Sequence, residues 1–132
     1  MIPITDIRAW GNVVPWKNTE QIEQDLVISR SLVEIYSDKY LSENLAFRGG
    51  TALHKLFFSS QPRYSEDIDL VQKNAGPIKH IITGLRTALT FLGEPKVKQK
   101  ANNNTLIFRF DSENITPVPL RLKVEVNCRE HF

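Results

Sequence analysis

The sequence predicts an α/β (α+β) chain built as a mixed β-sheet with helices packed on one side. Two observations carry this reading. Apolar residues recur at helical spacing through the first two thirds of the chain, broken by short apolar runs that fit buried strands. From Lys96 onward the period drops to two, the signature of half-buried strands. The expected order is helix, strand, helix, strand, helix, then three strands, with no internal repeat.

The first eighteen residues, with Pro3, Trp10, Pro15 and Trp16, read as an irregular arm. A helix is expected from Thr19 to Tyr40, where Asn18 and Gln21 have capping-box spacing. Its apolar stripe runs through Ile22, Leu26, Val33, Tyr36 and Tyr40, widened by Ile28, Leu32 and Ile35. Leu45-Ala-Phe47 is a short strand ending at Gly49-Gly50, and a second helix starts near Thr51 and stops at Ser59-Ser-Gln-Pro62. Asp67 to Val71 is the next strand. Pro77 suits the first turn of a third helix, capped by Gly93 and stopped by Pro95. Ile78, Ile81, Ile82, Leu85, Leu89 and Leu92 are its buried face. Lys96–Lys100 and Leu106–Phe110 flank Asn102-Asn-Asn104 as a hairpin. Leu120 to Asn127 alternates, with Leu120, Leu122, Val124 and Val126 on one face and Arg121, Lys123, Glu125 and Asn127 on the other.

At 132 residues the chain is one domain, 1–132, large enough for a single core. It stops directly after its last strand, so it is expected to be the N-terminal part of a longer protein. A net charge of +2 is too small to imply nucleic-acid binding by itself. The single cysteine, Cys128, excludes an internal disulfide framework and fits a reducing compartment. No apolar run approaches the roughly 20 residues that span a bilayer, and the N-terminus does not resemble a signal peptide. A cytoplasmic protein with no membrane association is expected.

The chemistry concentrates in three segments: Phe47-Arg-Gly-Gly-Thr51, Arg63-Tyr-Ser-Glu-Asp-Ile-Asp-Leu70 and Leu122-Lys-Val-Glu-Val-Asn127. On a strand, Asp67 and Asp69 share a face about 6–7 Å apart. Two bare carboxylates at that distance repel by roughly 2–3 kcal/mol at an effective dielectric near 20, which in a cleft favours bound cations. Two Mg²⁺ ions about 3.5–4 Å apart can be held by such a pair, with Mn²⁺ as the substitute. Taken alone, Asp-Ile-Asp reads first as a solvated strand edge, with Ile68 and Leu70 as the buried face. Asp-x-Asp also occurs in glycosyltransferases, a reading the short chain argues against.

Gly49 and Gly50 lie between an apolar strand and a helix start, where backbone N–H groups can cradle phosphate and Thr51 can add a hydroxyl. An ordinary tight turn has the same pattern, and no Walker A spacing follows. Arg63 and Ser65 suit either phosphate contact or a turn. Glu125 reads as a third carboxylate, either metal ligand or base for an incoming hydroxyl, or as the solvent side of a covered sheet. Lys123 beside it would neutralise phosphate or excess negative charge. Lys96, Lys98 and Lys100 form a basic strand face, read as edge protection or as contact with an RNA backbone.

Taken in order, Gly-Gly-Thr, Arg-Tyr-Ser-x-Asp-Ile-Asp-Leu and Lys-Val-Glu-Val-Asn resemble the DNA polymerase β-type nucleotidyltransferase superfamily, and within it the AbiEii/AbiGii toxin-like nucleotidyltransferases. The resemblance covers residues 45–127. It implies a palm-like, nucleotidyltransferase-type mixed sheet and a two-metal mechanism. Metal binding falls to Asp67 and Asp69, the third carboxylate to Glu125, and triphosphate contacts to Gly49, Gly50 and Thr51. Family members act as toxins beside a cognate antitoxin, and some transfer nucleotides to the acceptor end of tRNA. The expected function is therefore transfer of an NMP from a nucleoside triphosphate to an acceptor hydroxyl on RNA, tRNA or protein. The alternative is a non-catalytic module of the same fold that binds a nucleotide or a partner.

Overall fold

Period-two alternation builds the sheet. In the computed structural model, which describes residues 2–12, 19–48, 67–74, 76–114 and 116–128, five strands form: β1 (Leu45–Arg48), β2 (Asp67–Gln72), β3 (Lys96–Gln99), β4 (Asn103–Asp111) and β5 (Pro119–Asn127). Their spatial order is β1-β2-β5-β4-β3. Only β2 and β5 run parallel; the other neighbours are antiparallel. Among the described residues the helices are α1 (Ile4–Trp10), α2 (Thr19–Ser37), α3 (Lys39–Asn44) and α4 (Ile78–Ala88), with a 3₁₀ turn at Thr90–Leu92. This is an α+β fold around a mixed sheet.

One sheet face is apolar because every second strand residue is. Ile68 and Leu70 of β2, Leu122, Val124 and Val126 of β5, and Leu106 and Phe108 of β4 pack with Val27, Ile28 and Ile35 of α2, Leu41 of α3, and Ile81, Ile82 and Leu85 of α4. Helices thus cover that face, and the alternate strand residues, the acids among them, turn to the other.

The connection order matters more than any single contact. After β2 the chain passes through α4 and enters the sheet at its far edge as β3. It then steps back inward through β4, so that β5 closes against β2. Gly93, at φ 84°, makes the turn before β3, a left-handed conformation that glycine adopts without a Cβ clash. Three residues, Lys100, Ala101 and Asn102, join β3 to β4, and the Lys100 N–H donates to Asn103 O at 2.9 Å.

Three expectations are corrected. The N-terminal arm contains the helix α1, with Ile7 fully buried and Asp6 and Arg8 suiting the helix dipole; two turns are too few to reveal a period. The helix expected to reach Tyr40 ends at Ser37, because the Asp38 carboxylate accepts the Leu41 N–H at 2.9 Å and caps a new helix. The stripe of α2 is also rotated. Val33 and Tyr40 are 64% and 42% exposed, while Glu23, Gln24, Asp25 and Ser31 are buried beside Val27, Ile28 and Ile35.

Ser31 Oγ donates within the helix to Val27 O at 2.7 Å, and the other three buried polar groups have distant partners. Gln24 Nε2 donates to Arg121 O of β5 at 2.8 Å, Glu23 accepts the Glu113 N–H at 2.9 Å, and Asp25 accepts Trp10 Nε1 at 3.3 Å. They tie α2 to α1 and to the β4–β5 connection. Among the described residues no helix is long and apolar enough to cross a membrane.

Candidate active site

The β2–β5 ladder brings the acidic segments together. Its register sets Asp67 opposite Lys123 and Asp69 opposite Glu125. Residues directly opposite share a sheet face, so Asp67, Asp69, Lys123 and Glu125 project from one side. Ile68, Leu70, Val124 and Val126 are buried on the other. Neighbouring strands lie about 4.8 Å apart and i to i+2 about 6.7 Å, which makes a tight quadrilateral of three acids and one base. β4 extends it, with Thr105 opposite Glu125 and Ile107 opposite Lys123.

Lys123 organises the charges. Its ammonium lies 3.0 Å from Glu125 Oε1 and 4.0 Å from Asp67 Oδ2. The hydrogen bond to Glu125 holds its pKa above the ordinary lysine value, and the Asp67 charge adds to the rise. Burial and the nearby Arg121 charge pull the other way. The side chains of Asp67, Lys123 and Glu125 are 45%, 30% and 26% exposed, so the cluster is open to a ligand.

The carboxylates are hard oxygen donors of the kind Mg²⁺ takes, so the chemistry of the set fits a divalent cation. Its geometry as folded is not a finished cage: among the described residues, no three His, Cys, Asp or Glu side chains are grouped to hold a metal ion. A cation shared by Asp67 and Glu125 would therefore displace the Lys123 ammonium. Freed from Glu125, that ammonium would remain beside the site as a cation for phosphate.

Gly49, Gly50, Thr51, Arg63 and Ser65 lie outside the described residues, as does the helix expected from Thr51. The place of Thr105 beside Glu125 follows only from the β4–β5 register. Cys128, half-buried, accepts a hydrogen bond from Asn104 Nδ2 at 3.0 Å.

No curated protein sequence matches the chain. The model of the family described as nucleotidyl transferase AbiEii toxin, type IV toxin–antitoxin system, matches residues 30–132. That span contains the whole sheet and the acid cluster. The chain belongs to the AbiEii nucleotidyl transferase toxin family of type IV toxin–antitoxin systems.

Proposed function

We propose that this chain is a metal-dependent nucleotidyltransferase that moves an NMP from a nucleoside triphosphate to an acceptor hydroxyl on RNA, with tRNA the foremost acceptor, and that a cognate antitoxin restrains it. The observation that carries the reading is Asp69 and Glu125 side by side on parallel strands, with Asp67 on the same face. Carboxylates from two segments remote in sequence meet at one point of the sheet, beside a lysine.

Asp67, Asp69 and Glu125 would hold divalent metal, two Mg²⁺ ions or Mn²⁺ in their place. Bound there, the metal would stabilise both the attacking and the leaving oxygen of an in-line displacement. The acceptor oxygen forms a bond to the α-phosphorus, and the bond from that phosphorus to the bridging oxygen breaks. Pyrophosphate leaves with the bonding pair. In the alternative role, Glu125 would not ligate metal and would instead take the acceptor proton as base. Lys123, turned from Glu125, would neutralise charge on the phosphates, while Gly49, Gly50, Thr51, Arg63 and Ser65 would contact the triphosphate.

The test is incubation with each of four α-labelled nucleoside triphosphates, total cellular RNA and Mg²⁺. Label in RNA that disappears with Asp67→Ala supports the enzyme. Mg²⁺-dependent nucleotide binding with no labelled product in any reaction would instead support the binding module.

A further inference from the structure

The acid cluster occupies only one end of its sheet face. The register lays out three rows across the strands. Asp69, Glu125, Thr105 and Lys98 form the first; Asp67, Lys123, Ile107 and Lys96 form the second. Two residues further along β5 and β4, Arg121 stands directly opposite Arg109. The acids of the cluster therefore sit on β2 and β5, and basic residues adjoin them on the same face as far as the row of Asp111 and Pro119. Lys96, Lys98, Arg109 and Arg121 are all exposed, and among the described residues none has a carboxylate within 4.0 Å.

Edge protection explains part of this pattern. Lys96 and Lys98 lie on β3, an edge strand, where lysines discourage pairing with another sheet. It does not explain Arg109 and Arg121, which lie on interior strands. Like charges directly opposite in an antiparallel pair destabilise the sheet. An arginine pair held against that cost, one row from Lys123, is matched to a polyanion. Arg109 and Arg121 also line a depression of about 460 Å³ with Phe110, Asp111, Pro119 and Leu120, so both guanidinium groups can donate to phosphate there.

We propose that the β5–β4–β3 part of this face is the docking surface for a single-stranded RNA, its phosphates running over Arg121, Arg109, Lys96 and Lys98 and its hydroxyl end directed to Glu125. The assignment rests on the transferase reading for its choice of RNA; the surface itself rests on the charge lattice. Protein and RNA attract through Arg121, Arg109, Lys96 and Lys98, and the carboxylates of β2 and β5 repel the backbone, so only the strand's end would enter the acid cluster, with a cation bound there.

The experiment measures anisotropy of a fluorescein-labelled, mixed-sequence RNA oligonucleotide against the protein, without nucleoside triphosphate, across a salt series. Arg109→Ala/Arg121→Ala is expected to weaken binding about tenfold near 0.1 M salt and to lower the log–log salt slope by about 1 to 2. Arg109→Lys/Arg121→Lys, which keeps charge, is expected to stay within about twofold of wild type. Lys96→Ala/Lys98→Ala is expected to lower the slope similarly. Unfolding curves confirm that each variant is folded. Wild-type affinity and slope in the folded alanine variants would overturn the surface, whatever label transfer shows. Tighter binding of the DNA counterpart would overturn the choice of RNA. Loss of binding in the alanine variants without any label transfer to RNA would uphold the surface while removing the transferase reading.

Discussion

Lys123 Nζ stands 3.0 Å from Glu125 Oε1. The two residues belong to one strand, two positions apart, and Asp67 of the neighbouring strand lies 4.0 Å from the same ammonium. Lysine thus acts as resident counter-cation to two carboxylates that a divalent ion would also hold. Removing it with Lys123→Met leaves those acids without that partner. The variant is expected to lose about 0.5–1 kcal/mol of stability at low ionic strength, the scale of a partly exposed ion pair. Mg²⁺ is expected to raise its melting temperature more than that of wild type. Thermal unfolding with and without Mg²⁺ checks this, and equal shifts in the two proteins would refute competition for the site.

Asp67→Asn and Glu125→Gln each remove one charge and almost no volume. If these carboxylates act on the reacting phosphate, transfer from an α-labelled triphosphate is expected to drop by about a hundredfold or more, the cost of losing one well-placed electrostatic group. Unfolding midpoints should change little, because both side chains are partly exposed. Undiminished transfer in either variant would remove that residue from the mechanism.

How legible this was in the sequence differs by element. Strand β5 and helix α4 could be read residue by residue, since Leu122, Val124 and Val126, or Ile81, Ile82 and Leu85, bury wherever the element packs. Helix α2 could not. Its buried Glu23 and Gln24 depend on Glu113 N and Arg121 O, groups supplied by chain some ninety residues later. No local pattern announces such partners. In the site, alternation alone groups Asp67 with Asp69 and Lys123 with Glu125. That β5 and not β4 neighbours β2, in parallel, depends on where α4 delivers the chain. The alternation of β4 and β5 is the same for either order.

Glu23 gives the chain a pH dependence of predictable sign. The residue is fully buried; Oε1 accepts the Glu113 N–H, and Oε2 has no hydrogen-bond partner among the described residues. Desolvation is the main cause of its raised pKa, opposed by the Glu113 hydrogen bond and reinforced by the Glu113 and Glu20 charges. Below the ordinary value of 4.5 the carboxyl is protonated in both folded and unfolded chains and costs nothing. As pH rises from there through the folded pKa, the unfolded chain releases its proton first and stability falls. Glu23→Gln removes the ionisation. It is expected to exceed wild type in stability at pH 8, and the gap should close below pH 4.5. Denaturant unfolding at several pH values measures it. A gap that widens on acidification would show that the ionised form is the favoured one.

Gly84 sets the approach of α4 to α3. A Cβ at this position would stand 2.9 Å from Leu41 Cδ2 and 3.3 Å from its Cγ. Leu41 is fully buried, so it has little room to withdraw. Alanine would gain up to about 1 kcal/mol of helix propensity, but overpacking of a filled core costs about 1–3 kcal/mol. Crowding outweighs propensity, and Gly84→Ala is expected to lose about 1 kcal/mol. The clash has a single owner, which makes the cause separable. In a Leu41→Ala background, itself destabilised by about 2–5 kcal/mol, the same Gly84→Ala change should become stabilising. A double-mutant cycle by urea unfolding reads the coupling directly. Additive effects would mean that α3 and α4 do not meet through these two residues.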